Sequence, residues 1–509
     1  MKNIGLDVPE ADVCLILEGS YPYVAGGVSS WTHDLIQMQW QLDFHLLILL
    51  APDAKRKSNY KLPGNVTGVT EVTLQRPKKG YAKLPRSQIT MGHLEPALNN
   101  LLDNGGLIDV KEIIGVLLNC KGHVGSRYLL DSHDAWDMLL RMYDCGYSTT
   151  SFLDYFWTLR GILSGLFSVL LGELPRAKVY HAVSTGYAGL YLARAKIETG
   201  RPGILTEHGI YTNERRIEIA MADWLHEDTE LLSLSIDQTR HNLRDLWMNS
   251  FQSYSRACYD ACDRIITLFE GNQNFQLYDG ADKSRMQIIP NGIDYDLFKN
   301  IQHVDKGDQL SVALIGRVVP IKDVKTYIRA IAQVREIMPQ VRGFLLGPYD
   351  EDPEYYSECL QLVESLGLED GFEFTGRVDL TEWMGRIDLN VLTSISEAQP
   401  LVILEAGAAS IPCVATNVGA CKDLIEGDSS EDPPLGKGGE IVPLSNPTLT
   451  AKAIVRLLSD PVLLETSGRA LKERVRVYYN KVDLKEKYRL IYDSFVNQSA
   501  ISMNEGMDS

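Results

Sequence analysis

The sequence has few cysteines, and none of them is arranged like a metal site. Eight cysteines occur in 509 residues, and no two of them form a Cys-x2-Cys pair. Cys258 and Cys262 are spaced to lie on one helical face, but no nearby second pair completes a zinc set. The pattern therefore predicts neither a structural metal nor a disulfide framework, and it favours a reducing compartment.

Long apolar runs are also absent. The chain starts Met1-Lys-Asn-Ile-Gly-Leu-Asp, without the apolar segment of a secretion signal. The uncharged stretch from Gly161 to Gly172 falls short of the ~20 residues that span a bilayer. We therefore expect a cytoplasmic protein that does not cross a membrane by itself.

Basic charge is scarce. The chain has 50 Lys and Arg against 67 Asp and Glu, a formal net charge of −17 at pH 7. Nucleic acids and anionic membranes both need a basic face, so this balance argues against either as a general partner. An acidic surface also serves solubility alone. If the substrate is anionic, its basic contacts must be local.

Two nucleotide-binding motifs are missing. The sequence contains no Gly-x-Gly-x-x-Gly and no Gly-x4-Gly-Lys-Ser/Thr. These motifs supply the glycine turns that hold a dinucleotide or a triphosphate at a helix start. Their absence removes the main support for a nicotinamide enzyme or an NTPase.

The chain does contain two series of short apolar strands that alternate with helices. The first begins with the strand at 12–17, and after residue 291 the pattern restarts with strands such as 311–316 and 341–347. Such alternation is typical of doubly wound α/β domains. We predict two Rossmann-like domains, the first over 1–295 and the second over 296–480. The first domain has a helical insertion around 76–176. A final helix over 481–498 returns to the first domain, and a disordered tail follows over 499–509.

Two carboxylates flank a predicted helix start in the second domain. Glu397 and Glu405 are eight positions apart, and Pro400 between them suits the first helical position. Strand 389–393 and helix 401–409 place Glu397 before the helix and Glu405 about a turn and a half inside it. A helix start offers unpaired N–H groups to a phosphate, and flanking carboxylates can hold sugar hydroxyls. The pattern suits a nucleotide sugar.

Cations and glycines stand at the ends of two predicted strands. Arg317 and Lys322 follow the first strand of the second domain, where a crevice opens in doubly wound sheets. There they would stabilise the charge of a diphosphate, although a solvated loop is the alternative. Gly26 and Gly27 follow the first strand of the chain, and we expect their free dihedrals to let the backbone approach a phosphate or an acceptor.

These motifs resemble the signature of the retaining glycosyltransferases of family 4. Four motifs carry the resemblance, in the family's order: Gly26-Gly27-Val28, Pro290-Asn-Gly-Ile-Asp294, Gly316-Arg317-Val-Val-Pro-Ile-Lys322 and Glu397-x7-Glu405. The segment between Leu74 and Lys178 is similar to the cytosolic glycosyltransferases of Pel exopolysaccharide synthesis in bacteria, and so are Glu18-Gly-Ser-Tyr-Pro-Tyr-Val-Ala-Gly-Gly and Thr206-Glu-His208-Gly-Ile-Tyr.

The resemblance implies the α/β GT-B fold, two Rossmann-like doubly wound domains with a cleft between them. It also implies transfer of a hexose or N-acetylhexosamine unit from a UDP-sugar to a growing polysaccharide, with retention at the anomeric carbon. Roles follow for the site residues. Glu397 would contact the donor sugar, Glu405 the ribose, and Arg317 and Lys322 the diphosphate.

Four further roles come from the same resemblance. The backbone N–H groups of Leu401 and Val402 would bind phosphate, and the main chain at Val378 would face the base. His208 would lie under the anomeric region of the donor. A lone histidine is more often packed or exposed, and His181, which also ends a strand, is a weaker candidate.

Partners and alternatives also follow. The resemblance implies a polysaccharide acceptor and recruitment by inner-membrane Pel synthase and export subunits, without nucleic acid or a cofactor. Asp294-Tyr-Asp296 matches the metal-binding triplet of the other large glycosyltransferase fold, but turn chemistry at a domain junction explains it better. We therefore expect no metal. A family member that makes another glycan, or a non-catalytic nucleotide-sugar-binding scaffold, remains an alternative.

Overall fold

The computed structural model describes residues 10–24, 26–54, 56–81, 87–120, 123–220, 243–428 and 431–505. The chain divides into two compact units. Unit 1 comprises Met1–Ile288 together with Tyr488–Ser509, and unit 2 comprises Ile289–Lys487. The first break therefore falls before the predicted boundary at 295. The reason is that Asn291 hydrogen-bonds to Gln399, and Ile293 forms a β-bridge to Asn480, all within unit 2.

Unit 1 contains a parallel sheet with the order β3-β2-β1-β4-β5-β6-β7. The described strands are β1 Ala11–Glu18, β2 Phe44–Leu50, β3 Val66–Thr73, β4 Ala177–Ala182, β5 Gly203–Glu207, β6 Arg264–Thr267 and β7 Met286–Ile288. From β1 the strand order runs outward in one direction through β2 and β3, and in the other direction through β4 to β7. This change of direction between β1 and β4 is a topological switch point, which opens a crevice at the carboxyl ends of the strands.

Helices cover this sheet and fill the long segment between β3 and β4. They are α1 Gly27–Met38, α2 Ser87–Leu102, α3 Leu107–Asn119, α4 Ser126–Leu129, α5 His133–Gly146, α6 Phe152–Leu171, α7 Tyr187–Thr199, α8 Tyr211–Ala220, α9 Leu243–Ala261 and α10 Glu270–Tyr278. Helices α2 to α6 share one hydrophobic core with α7 and α9, so the insertion is part of the unit and not an appendage.

Unit 2 contains a second parallel sheet, with the order β10-β9-β8-β11-β12-β13. Its strands are β8 Leu310–Ile315, β9 Val341–Leu346, β10 Phe372–Gly376, β11 Leu389–Leu392, β12 Cys413–Thr416 and β13 Gly439–Val442. Its helices are α11 Tyr295–Phe298, α12 Val324–Ile337, α13 Pro353–Ser365, α14 Leu380–Trp383, α15 Leu401–Ala408, α16 Cys421–Glu426, α17 Pro447–Leu458 and α18 Pro461–Tyr478. The switch point lies between β8 and β11.

The last helix, α19, spans Lys481–Glu505 and therefore continues past its predicted end at 498. No glycine or proline interrupts this sequence before Gly506, so nothing local ends the helix earlier. Residues 506–509 of the predicted disordered tail lie outside the described residues. Tyr488 and Tyr492 of α19 bond to Thr206 and His181 and so join the helix to the sheet of unit 1.

The sequences of two edge strands, β3 and β13, are not long apolar runs. The alternating residues of Val66–Thr73 are mostly exposed or half-buried, because the strand has a neighbour on one side only. Such a strand alternates in hydrophobicity instead of forming a continuous apolar stretch. None of the described helices combines the length and the apolar character needed to cross a membrane.

Candidate functional site

Two loops meet at the switch point of unit 2. The loop after β8 ends in a 3-10 turn over Pro320–Lys322. Thr393, just after β11, donates its hydroxyl to the carbonyl oxygens of Lys322 and Asp323, at 3.0 Å each. The N–H of Ile395 donates to the carbonyl of Ile321 at 2.9 Å. These bonds fix the loop that carries Lys322 against the loop that carries Glu397.

Lys322 and Glu397 form an ion pair at this point. The Lys322 Nζ lies 2.5 Å from the Glu397 Oε1, and the Ser394 hydroxyl donates to the same oxygen at 2.6 Å. Both charged side chains are largely buried, 18% and 13% exposed. Since a largely buried charge is costly without a partner, the ion pair stabilises the position of both groups. The pair puts a cation and a carboxylate side by side at the carboxyl ends of β8 and β11.

Gly419 packs against the backbone of Glu397, and the sequence analysis did not identify it. Its φ is +51°, and a Cβ there would lie 2.1 Å from the carbonyl oxygen of Glu397 and 2.4 Å from that of Ala398. The next residue, Ala420, donates its N–H to the Ala398 carbonyl at 2.8 Å. Only glycine fits this close approach. The available signal was an isolated glycine in the loop that follows an apolar strand.

The helix after Glu397 begins without a side-chain cap. Helix α15 starts at Leu401, and Pro400 is its N-cap with φ −72° and ψ 114°. Pro400 was predicted to suit the first helical position, but it precedes the helix as its N-cap because its ψ is extended. The first N–H groups of a helix have no partner within it, so those of Leu401 and Val402 are available to an anion. Both side chains are partly exposed.

Glu405 lies inside α15 and is partly buried. Burial raises the pKa of its carboxyl to about 7. Near neutral pH the group is therefore divided between its protonated and ionised forms. Hydroxyl donors, such as those of a ribose, would favour the ionised form.

Arg317 and Val378 stand apart from this cluster. The half-exposed Arg317 guanidinium is ion-paired with Glu351, in the loop after β9. Arg317 and Lys322 thus have different carboxylate partners. Val378 is partly exposed in the loop after β10, and β9 separates β10 from β8. The structure brings together Lys322, Glu397 and the α15 start, while Arg317 and Val378 lie on the neighbouring loops.

In unit 1, His208 follows β5 and is buried, 8% exposed. Its ring packs edge-on against Trp31 of α1, with the ring centroids 4.5 Å apart. Within the described part of the chain neither ring nitrogen has a hydrogen-bond partner. Burial lowers the His208 pKa to about 4, so the imidazole is neutral at pH 7. Buried polar atoms nearly always have partners, so these two nitrogens suit a ligand that donates or accepts.

Gly26 and Gly27 follow β1, but the predicted reason for these glycines is wrong. Gly26 has φ 171° and ψ 176°, an extended backbone that any residue adopts. A Cβ at either position would meet no described atom within 4 Å. What the two glycines provide is open space in front of α1, whose start also lacks a side-chain cap. The space, and not the backbone angles, keeps them as ligand-facing candidates.

Each unit matches a known family model. Residues 11–284 match the family model described as a domain of unknown function, DUF3492. The chain belongs to the DUF3492 family. Residues 309–460 match the model described as Glycosyl transferases group 1. The matched part of unit 2 includes Arg317, Lys322, Glu397 and Glu405.

Curated relatives match part of this DUF3492 protein. A D-inositol 3-phosphate glycosyltransferase of Kribbella flavida is 27% identical over 43% of this chain and 53% of its own length. The exopolysaccharide phosphotransferase SCO2592 of Streptomyces coelicolor is 31% identical over 42% of this chain and 21% of its own length. The chain spans about half the length, or less, of the first curated relatives it matches.

Solved structures match the fold across nearly the whole chain. Anabaena Alr3699/HepE, in complex with UDP and glucose, has a TM-score of 0.55 at 16% identity and covers 95% of this chain and 100% of its own. Sucrose-phosphate synthase of Thermosynechococcus elongatus has a TM-score of 0.56 at 16% identity, with 95% and 98% coverage. The prediction of two Rossmann-like domains of the GT-B type is confirmed.

In the DUF3492 unit, Glu18 is a better candidate for the site than His181. His181 is fully buried, and its nitrogens bond to Tyr492 at 2.6 Å and Thr206 at 2.9 Å, so its role is structural. Glu18 ends β1 at the switch point, and the sequence analysis gave it no role in the site. It accepts from the Ala188 N–H at 3.2 Å and the Tyr211 hydroxyl at 2.7 Å, and burial raises its pKa.

The two metal hypotheses have different structural settings. Asp294 is the N-cap of α11, and the exposed Asp296 is ion-paired with Lys299. Cys258 and Cys262 are buried, with their sulfurs 3.9 Å apart. Across the described residues, no group of three or more His, Cys, Asp or Glu side chains is placed to hold a metal ion.

Proposed function

We propose that this protein is a retaining glycosyltransferase that moves a sugar from a UDP-sugar to a growing bacterial exopolysaccharide of the Pel type, as PelF does. The observation that carries the proposal is the Lys322–Glu397 pair beside the uncapped start of α15, with Glu405 inside that helix. This places a cation, free N–H groups and two carboxylates on two adjoining loops and the helix that follows the second loop. A nucleotide sugar offers a diphosphate between two hydroxyl-bearing rings, which is the complementary set.

Each group would have one task. The Lys322 ammonium and the N–H groups of Leu401 and Val402 would bind the diphosphate and take up the charge that develops as it leaves. Glu397, already oriented by Lys322 and Ser394, would accept from hydroxyls of the donor sugar. Glu405 would accept from the ribose hydroxyls.

The bond changes balance without a further reactant. The acceptor hydroxyl attacks the anomeric carbon on the face from which the diphosphate departs. The bond from carbon to the phosphate oxygen breaks, and the leaving phosphate oxygen takes the hydroxyl proton. Arg317 would add its charge by leaving Glu351 and binding the diphosphate instead. Its side chain is half exposed, and breaking an exposed ion pair costs little free energy.

His208 would serve the sugar. A neutral imidazole with two unpartnered nitrogens can donate to one sugar oxygen and accept from one hydroxyl. It would not act as a permanent cation, because burial lowers its pKa to about 4. Gly26 and Gly27 would leave room for a phosphate or the acceptor in front of α1, and the main chain at Val378 would face the base.

The comparisons support the substrate classes. HepE has been solved with UDP, with UDP and glucose, and with UDP-glucose, which supports a UDP-sugar donor. We propose that the unit transferred is a hexose or an N-acetylhexosamine. The Streptomyces exopolysaccharide phosphotransferase supports an exopolysaccharide product. We further propose a cytoplasmic enzyme that works beside inner-membrane Pel synthase and export subunits.

The test is donor turnover by the purified chain. UDP release is measured with UDP-glucose, UDP-galactose and their two N-acetylhexosamine counterparts, with and without polysaccharide fragments. We expect slow release from one donor class and faster release with acceptor, and a product whose anomeric configuration by NMR equals that of the donor. Inversion would refute the retaining assignment. Tight UDP binding without any turnover would instead support a nucleotide-sugar-binding scaffold.

A further inference from the structure

A basic face lies on unit 1, in contrast to the acidic chain as a whole. The loop after β2 and the segment after β3 carry six exposed cations, Arg56, Lys57, Lys61, Arg76, Lys78 and Lys79, which together are called the basic face below. Strands β2 and β3 are parallel neighbours with Leu50 opposite Thr73, so both segments leave the same edge of the sheet. Arg56 donates to the Thr73 hydroxyl at 3.3 Å, which joins the two segments.

The charge of this face is not cancelled locally. Residues 52–81 contain seven Lys and Arg against two Asp and Glu, while the whole chain has a net charge of −17. Within the described residues, Arg56 is the one cation of the basic face with a carboxylate within 4 Å, its partner being Glu71 at 3.3 Å. The average composition therefore hides a strongly positive surface. The sequence shows this excess of Lys and Arg, but their position at one edge of the sheet follows from the β2–β3 pairing.

The helical insertion holds the second half of the basic face in a fixed position. The segment 78–81 runs beside 123–127: the N–H of Ser126 donates to the Lys78 carbonyl at 2.8 Å, and that of Arg127 to the Lys79 carbonyl at 3.0 Å. Gly125 allows this contact, since a Cβ there would lie 2.3 Å from the Lys78 carbonyl oxygen. The crossing adds the exposed Arg127 beside Lys79.

Two exposed apolar side chains flank these cations. Leu62 is 36% exposed, and Tyr81 is 62% exposed with its ring packed against His123 at 5.2 Å. Leucine and tyrosine at the level of cationic side chains suit the headgroup region of a bilayer, where aromatic rings are enriched. The basic face also lies at the carboxyl edge of the sheet, the edge at which β1 ends before Gly26 and β5 ends before His208.

We propose that the basic face docks unit 1 on the surface of an anionic phospholipid bilayer. The cations are spread over two loops and a crossing segment instead of lining a pocket, which fits a diffuse negative surface better than one bound phosphate. The acidic remainder of the chain is repelled by the same surface, so attraction occurs in one orientation only. Beyond about 10 Å, salt screens that repulsion. This inference does not depend on the proposed transferase activity.

The test is vesicle co-sedimentation of the full chain. Vesicles with about a third anionic phosphatidylglycerol are compared with purely zwitterionic vesicles at low salt. The variant K57Q/K78Q/K79Q removes three charges from the basic face. Near an anionic surface each Lys or Arg contributes about fivefold in partitioning, so we expect a loss of about 100-fold. Wild-type binding should also disappear as salt is raised.

A matched variant separates location from net charge. K283Q/K452Q/K487Q removes three exposed lysines elsewhere and makes the net charge equally more negative. It should change vesicle binding less than about twofold. The proposal is overturned if wild type ignores anionic vesicles, if it binds zwitterionic vesicles equally, or if both triple variants lose the same affinity. It is also overturned if double-stranded DNA binds the basic face while the vesicles do not.

Discussion

The two sheets end in different chemistry at equivalent places. At the switch point of unit 2, the ion pair of Lys322 and Glu397 stands beside an uncapped helix start. At the switch point of unit 1 lie a neutral histidine packed on Trp31 and the carboxylate of Glu18, whose pKa is raised by burial and which lies 3.9 Å from the Arg215 guanidinium. One crevice holds a largely buried ion pair at a helix start, and the other holds an imidazole without a described hydrogen-bond partner.

The difference shows that burial can give two similar switch points different electrostatic properties. Lys322 lies against a carboxylate partner, whereas the His208 ring has no described hydrogen-bond partner and burial lowers its pKa to about 4. Changes in unit 2 should therefore affect nucleotide binding and turnover together. Changes in unit 1 should affect turnover alone.

Lys322→Ala should have the largest effect. It removes the cation assigned to the leaving diphosphate and leaves Glu397 largely buried without its partner, so we expect turnover to fall about 100- to 1,000-fold. UDP affinity by calorimetry should fall about 10- to 150-fold. Lys325→Ala is the matched control, because Lys325 pairs with Glu358 on the surface. Equal losses in both variants would remove Lys322 from the site.

Gly419→Ala should follow. A Cβ at this position would lie 2.1 Å from the Glu397 carbonyl oxygen, so the Glu397 loop must shift. A displacement of about 1 Å at a reacting group lowers turnover about 100-fold. Gly436→Ala is the control, since Gly436 also has a positive φ, +89°, but its Cβ would meet no described atom within 4 Å. If both variants keep full turnover with native circular dichroism, the support assigned to Gly419 is wrong.

These two predictions show where sequence reasoning stopped. The strands with continuous apolar runs and the motif at Glu397 to Glu405 were predictable, because a short buried strand followed by a helix start has a clear local pattern. Gly419 was not, since its role arises from contact with a loop more than twenty residues earlier in the chain. The error at Gly26 has the same origin. A glycine in a sequence does not reveal whether backbone angles or free space requires it.

Charge partners were equally hidden from the sequence. Arg317 and Lys322 lie five positions apart and were expected to act on one diphosphate, yet one faces Glu351 and the other Glu397. Which carboxylate a cation meets depends on the order of strands in the sheet. The pKa values of Glu405 and His208 depend on packing from distant elements in the same way.

Glu405 should make donor affinity depend on pH. Its pKa is about 7 in the free protein, and ribose hydroxyls bind the ionised form, so affinity should rise about tenfold from pH 6 to pH 8. The sign for stability is opposite: because burial raises this pKa, the free energy of unfolding should fall as pH rises towards 7. Titration with a UDP-sugar at several pH values measures the first effect.

Glu405→Gln is the control for this titration. It should bind the donor more weakly at pH 8 and show a flatter pH profile. His208 does not interfere, because its pKa of about 4 lies below the range. An unchanged slope in the Gln variant would assign the pH dependence to another group.

His208→Ala should lower turnover up to about tenfold, the value of one or two neutral hydrogen bonds. UDP affinity should stay within about twofold, since His208 is assigned to the sugar and not to the nucleotide. His208→Gln retains a donor and an acceptor and should recover part of the rate. A loss of UDP affinity equal to that of Lys322→Ala would break the division between the two units.

The smallest expected effect is that of chelation. In the proposed mechanism, Lys322, Arg317 and the start of α15 neutralise the leaving diphosphate, and all three are parts of the protein. A metal-dependent transferase would need carboxylates aimed at the phosphates, and Asp296 instead pairs with Lys299 at an exposed turn.

Turnover should therefore persist in excess EDTA, with less than about a twofold change, and Asp296→Asn should behave like wild type. Lys322→Ala provides the internal comparison. If magnesium restores its turnover, a metal can replace the ammonium without being required by the native enzyme. If instead chelation abolishes wild-type activity and magnesium or manganese restores it, fixed protein charge is not what stabilises the diphosphate, and the contrast between the two switch points needs a different cause.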